Sequence, residues 1–210
     1  MQHDSIKKDI GKIAKIRFCN EKDRAKLILV YLGLKPVCSV FIYEEEGHLK
    51  TKEILSEVGL YSKPGKFNKE WFDNFQEECE EKIILPIGEL CVAKEKENVF
   101  ELLKISSAKD HQRYGELMGY PQSAIDNFIK QEPQLDYYDL EKMQKEHGVI
   151  FSFRIPRENY QKELEVLKSW SMAIKKYAPQ LYEELWKQEQ QFNKISIAFH
   201  EKNEERKNKQ

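Results

Sequence analysis

The stretch 107–131, SAKDHQRYGELMGYPQSAIDNFIKQ, reads as two helices that meet at the break Gly119-Tyr120-Pro121. Ser107 to Asp110 fits a helix cap with an acidic residue at the third helical position. The first helix is expected to end at Gly119. Pro121 suits the first turn of the second helix, where its missing N–H costs nothing. Ala124, Ile125, Phe128 and Ile129 give that second helix an apolar face. Gly115 interrupts the first helix at a cost of about 1 kcal/mol against alanine. With Gly119 it leaves a smooth strip that another backbone can approach closely.

The same stretch gathers reactive side chains. His111, Arg113, Tyr114 and Glu116 lie close together, but not on one face. His111, Tyr114, Gly115 and Met118 share the apolar side of the helix, while Arg113 and Glu116 are i, i+3 neighbours on another. In a catalytic reading His111 is a general acid/base, oriented by Glu116 or Asp110. Arg113 then holds an anionic group, with Tyr114 and Tyr120 beside it. The start of the Pro121 helix offers free N–H groups to an anion, with Ser123 assisting. In a packing reading His111 is a half-buried histidine bonded to a backbone carbonyl, next to a surface Arg–Glu pair. The location of His111 separates the two. A catalytic His111 lines an open pocket with Arg113 or Glu116; a packing His111 is enclosed by Met118 and Phe128.

Upstream, Ile6, Ile10 and Ile13 are spaced for one helix face. Asn20 caps a helix over Glu21–Leu32, with Gly33 as its left-handed end. Val37 to Tyr43 reads as a strand buried on both faces. The run Glu44–Glu46 ends it as a solvated turn. Thr51 is expected to cap a short helix ending at Gly59, and Pro64-Gly65 marks a turn. Asn68 then caps a helix whose Trp71, Phe72, Phe75 and Cys79 form a core stripe opposite an acidic face. Ile83 to Lys94 is β-like, but Pro86 and Gly88 make it two short strands or a bulged edge strand. A helix follows over about 97–105, with Val99, Leu102 and Leu103 inward.

Downstream, 134–148 reads as a short helix and Val149–Ile155 as an alternating strand. A long helix over 157–177 turns Leu164, Leu167, Ser171, Ile174 and Ala178 to one side. A further helix begins at Pro179 and buries Leu181, Tyr182, Leu185 and Trp186. Lys194 to His200 alternates as a final strand, and 201–210 is a frayed charged tail. The aromatic residues of the last helices pack in the core, or else anchor a homodimer contact.

Bulk properties bound the function. The 210 residues are 40% hydrophobic and 11% aromatic, as in a folded chain. Lysine and arginine total 35 against 36 aspartate and glutamate, a net charge of −1 that argues against general nucleic-acid binding. No apolar run approaches the roughly 18 to 20 residues that span a bilayer. No signal-peptide core opens the sequence, so a cytoplasmic location is expected. The four cysteines (Cys19, Cys38, Cys79, Cys91) form no Cys-x-x-Cys and read as buried reduced thiols. The five histidines are scattered, and no metal or cofactor is expected. Phosphate-binding glycine loops and the common hydrolase motifs are absent.

The segment Arg113-Tyr114-Gly115-Glu116-Leu117-Met118-Gly119-Tyr120-Pro121, followed by Ile125 and Phe128, resembles the box of an uncharacterised prokaryotic family. That domain-of-unknown-function family is common in archaea and reads roughly Gly-x-Leu-x-Gly-Tyr-Pro-x-Cys-Cys-Val-x-x-Phe. Leu34-Lys35-Pro36-Val37 and Ile155-Pro156 are similar too, as is the helix start Pro179-Gln180-Leu181. Ser123 and Ala124 stand where the family has paired cysteines. Its Pro-Cys-Ser-x-x-Cys box is replaced by Pro156, Arg157, Glu158 and Gln161. The resemblance therefore implies a fold and no thiolate chemistry.

The sequence thus predicts an α/β, helix-rich single domain over 1–200, with a mixed sheet of four or five short strands. Two functions fit: a non-catalytic module binding a small molecule or a protein, or a small hydrolase or transferase built on His111, Glu116 and Arg113.

Overall fold

A computed structural model of the chain describes residues 2–78, 84–105, 109–151, 155–157 and 160–207. It is helix-rich, and its contacts group into two compact units, Met1–Tyr120 and Pro121–Gln210. The sequence reading treats 1–200 as one domain; the division falls inside the Gly-Tyr-Pro corner.

The first unit runs α1 (Gln2–Ala14), α2 (Glu21–Tyr31), β1 (Val37–Ile42), α3 (Gly47–Glu57), β2 (Tyr61–Pro64), α4 (Lys69–Glu78), β3 (Gly88–Ala93), α5 (Lys96–Lys104) and α6 (His111–Leu117). Among the described residues the sheet has three strands in the order β1-β3-β2, every pair antiparallel. Four or five strands of mixed direction are not found there. β3 is central, not an edge: Pro86 lies before it, so all six of its residues are free to pair. β2 went unread because Tyr-Ser-Lys-Pro carries no apolar alternation.

Register assigns the two faces of the sheet. Val37 pairs with Ala93, Ser39 with Cys91 and Phe41 with Glu89. Directly opposed residues share a face, so these six side chains lie on one side. Cys38, Val40, Ile42, Leu90 and Val92 lie on the other and are fully buried, as are Leu27 to Val30 of α2. On the first face α5 and α6 cover only the Val37–Ala93 end, in a cluster with Val99, Leu102 and Leu117. At the Phe41 end Phe72 of α4 packs edge-on at 5.5 Å. Ser39 and Phe41 are consequently only half-buried, where burial of β1 on both faces was expected.

Caps explain several helix boundaries. The Asn20 side chain accepts the Asp23 N–H at 2.8 Å, and Gly33 ends α2 at φ 76°. Asn68 accepts the Trp71 N–H at 3.1 Å and so starts α4. Trp71 is 56% exposed, however, so the expected core stripe on α4 fails at that position; Cys79 lies outside the described residues. α3 begins at Gly47 rather than near Thr51. The carboxylates of Glu44–Glu46 immediately precede it, where they suit the positive end of the helix dipole.

The second unit holds α7 (Gln122–Lys130), α8 (Tyr137–His147), α9 (Gln161–Tyr177) and α10 (Pro179–Lys207). α9 buries Leu164, Leu167, Ser171, Ile174 and Ala178, as its spacing predicts. The strand expected over Val149–Ile155 is not seen at 149–151, and 152–154 lie outside the described residues. Phe128 and Ile129 of α7 are exposed, which narrows its apolar face to Ala124 and Ile125.

The final strand is a second correction, since Lys194–His200 is helical and α10 continues to Lys207. The buried positions of α10 are Leu181, Tyr182, Leu185, Glu189 and Asn193, a helical stripe at i, i+4, i+8 and i+12 with Tyr182 beside it. Glu189 and Asn193 are polar, so a hydrophobic pattern does not register them. Gln144 of α8 satisfies both: it accepts from Asn193 Nδ2 at 2.6 Å and donates to Glu189 Oε2 at 3.3 Å.

Candidate functional site

On the half-covered face of the sheet, between α5 and α6, a cleft of about 180 Å³ opens. The sheet supplies Ser39, Glu89 and Cys91; α5 and its end supply Leu102, Leu103 and Ile105. Tyr114 enters from α6, and Lys66 from the loop after β2. The Ser39 hydroxyl donates to Glu89 Oε1 across the two strands, two residues off direct pairing and so on the same face. The Glu89 backbone carbonyl accepts the Gly65 N–H at 2.9 Å. A Cβ at Gly65 would overlap the Glu89 carboxylate, so a glycine there lets that side chain lie flat over the loop. Among the described residues Lys66 makes no ion pair.

Burial, then the nearby Glu89 carboxylate, pushes the Cys91 thiol up to about 12. Burial raises the Tyr114 phenol as well. The cleft thus combines a cysteine, a tyrosine, a serine, a glutamate and a lysine with three aliphatic side chains. A thiol with so high a pKa is a poor nucleophile. Cys19 and Cys38, both buried and free, are likewise pushed up to about 12, chiefly by burial.

Of the residues singled out from sequence, only Tyr114 lines this cleft. Asp110, read as a third helical residue, is instead the N-cap of α6 and accepts the Arg113 N–H at 3.1 Å. That shift places His111 in the first helical position, where it is half-buried. Arg113 is exposed and clasped: its guanidinium makes two hydrogen bonds to Glu101 and one to Glu116 at 2.9 Å. Gln112 donates to the other oxygen of Glu116 at 2.7 Å. The Arg113 hydrogen bond holds Glu101 below the usual carboxylate range. Glu116 is lowered too, first by Gln112 and then by Arg113.

Tyr120 follows the end of α6, close enough to Tyr114 to act on its phenol, and packs beside Lys35. The ammonium of Lys35, a residue only 5% exposed, lies 5.0 Å from the Tyr120 ring centre and donates to the Met118 carbonyl. Burial lowers Lys35 to about 8. Here the close approach expected at the glycine strip is realised at Gly119 (φ 73°), where a Cβ would sit 3.0 Å from Pro36 Cδ and 3.5 Å from Lys35 Cα. Ser123 lies in the second unit near the start of α7, its hydroxyl oxygen buried without a hydrogen-bond partner among the described residues.

Ser39, Lys66 and Glu89 were missed. The available signal was a polar residue interrupting each of two apolar strands, Val-Cys-Ser-Val-Phe and Gly-Glu-Leu-Cys-Val. Among the described residues no three of His, Cys, Asp and Glu converge on a metal-sized site. No described helix is long and apolar enough to cross a membrane. No family model matches the chain, and neither the curated proteins nor the solved structures contain a match to it.

Proposed function

We propose that the chain is a non-catalytic binding module, and that its first unit holds a small molecule in the cleft between the sheet and α5–α6. The observation carrying this reading is the make-up of the cleft. Three aliphatic side chains face a hydroxyl, a carboxylate and an ammonium in about 180 Å³. Small-molecule sites are apolar concavities with a few placed polar groups. The enzyme reading has less support: an anion reaching Arg113 has to displace Glu101 or Glu116, and the buried thiols are held protonated. Kinship with the Gly-Tyr-Pro-box family remains part of this proposal, resting on residues 113–121. So does a cytoplasmic location.

Thermal-shift screening of the full chain with and without Leu103→Trp tests the reading. Any small ligand of the cleft raises the melting temperature of the native chain. The bulkier side chain is expected to abolish that rise. A ligand whose effect survives Leu103→Trp, but not replacement of His111 and Arg113, would favour the enzyme alternative.

A further inference from the structure

We infer that the ligand of the cleft is a zwitterionic aliphatic amino acid about the size of leucine, bound through its ammonium group to Glu89 and its carboxylate to Lys66. This inference rests on the reading of the cleft as a binding site and adds the ligand class. Size comes first. A dry cavity of about 150 Å³ holds a single benzene, so a cleft of about 180 Å³ admits a body of a few carbons and little more.

Shape and polarity come next. Leu102, Leu103 and Ile105 form one continuous aliphatic wall, contributed by α5 and its end. An aliphatic chain gains free energy by covering such a wall, whereas a sugar or a nucleotide base leaves its own polar groups unpaired against it. The same cleft is lined by charged and polar groups, Ser39, Glu89 and Lys66. Glu89 is held by Ser39 through one oxygen. Its other oxygen has no donor among the described residues. A half-buried carboxylate with a spare oxygen selects a cationic donor, because a charge-assisted hydrogen bond is roughly twice as strong as a neutral one. Lys66 lies on the rim, free of any described ion pair, and offers the matching cation for a carboxylate. A carboxylate and an ammonium lining one cleft with three aliphatic side chains complement a free α-amino acid with a branched side chain.

Isothermal titration of the full chain separates the parts. L-leucine is compared with 3-methylbutylamine, which lacks the carboxylate, and 4-methylpentanoate, which lacks the amine. 3-Methylbutanol lacks both. Leucine is expected to bind most tightly, the amine more weakly, and the acid not at all. Glu89→Gln is expected to weaken leucine roughly tenfold or more. Lys66→Met should weaken leucine and leave the amine unchanged. Melting curves of the variants establish that both fold. If 4-methylpentanoate binds as well as leucine, or Glu89→Gln leaves leucine unaffected, the ligand class is overturned while the cleft remains a site. If none of the four compounds binds in a way that Leu103→Trp blocks, the reading of the cleft falls as well.

Discussion

The Asp23 carboxylate accepts the backbone N–H of Phe41 at 2.9 Å, tying the first turn of α2 to the outer edge of β1. Among the described residues β1 pairs only with β3, so this N–H points away from the sheet and would otherwise sit on an unpaired edge. Lys26 completes the arrangement with an ion pair to Asp23 at 2.7 Å, on a carboxylate that is 1% exposed. Asp23→Ala strands the Phe41 N–H and leaves Lys26 without its anion. A loss of about 2–4 kcal/mol in urea denaturation is expected. Asp23→Asn keeps the acceptor and should lose less.

Lys35 makes stability depend on pH. Burial lowers its ammonium from 10.5 to about 8, so between those values the unfolded chain binds more protons there than the native one. Stability contributed at this site therefore rises with pH through that window, fully present above about 10.5 and absent below about 8. A displacement of this size corresponds to roughly 3 kcal/mol. The thiols of Cys19, Cys38 and Cys91 act in the opposite sense above about pH 9, because the native state retains their protons. The quantity to measure is thus the difference between the native sequence and Lys35→Met. That difference should grow in favour of the native sequence from pH 7 to pH 10; a flat difference removes this account of Lys35.

In the second unit Gln144 bridges Asn193 and Glu189, and all three are buried. Gln144→Leu removes both bridges while the groups they satisfied stay buried. A cost of about 2–3 kcal/mol is expected by denaturant titration. Replacing Gln144, Glu189 and Asn193 together by leucine should cost far less than the sum of the single changes.

Glu163 offers the reverse case. It is fully buried at the start of α9, and among the described residues neither carboxylate oxygen has a hydrogen-bond partner. A buried acid without a donor opposes folding, so Glu163→Met should raise stability by about 1–3 kcal/mol. A destabilised Glu163→Met would mean that the carboxylate is engaged in the native protein.

Sequence pattern reached the helices through their punctuation. Asn20, Asn68, Gly33, Gly119 and Gly148 each stop or start a helix for a local reason, and local reasons are readable in a sequence. It failed where buried positions are polar. Glu189 and Asn193 carry the helical stripe of α10 on hydrogen bonds to a residue more than forty positions away, so Ile195 and Ile197 read as strand alternation instead. The site followed the same rule. His111, Arg113 and Glu116 cluster in sequence, yet Arg113 closes on Glu101 and Glu116, while Ser39 and Glu89 meet only because β1 pairs with β3. Tyr114 alone belongs to both descriptions.

The central claim is that the cleft beside Tyr114 is the binding site. Amide chemical-shift mapping of the full chain during titration with L-leucine tests it most directly. Saturable shifts are expected at Ser39, Glu89, Cys91, Leu102, Leu103 and Tyr114, and they should vanish in Leu103→Trp. Saturable shifts centred on His111 and Arg113, or confined to residues beyond Pro121, would contradict it.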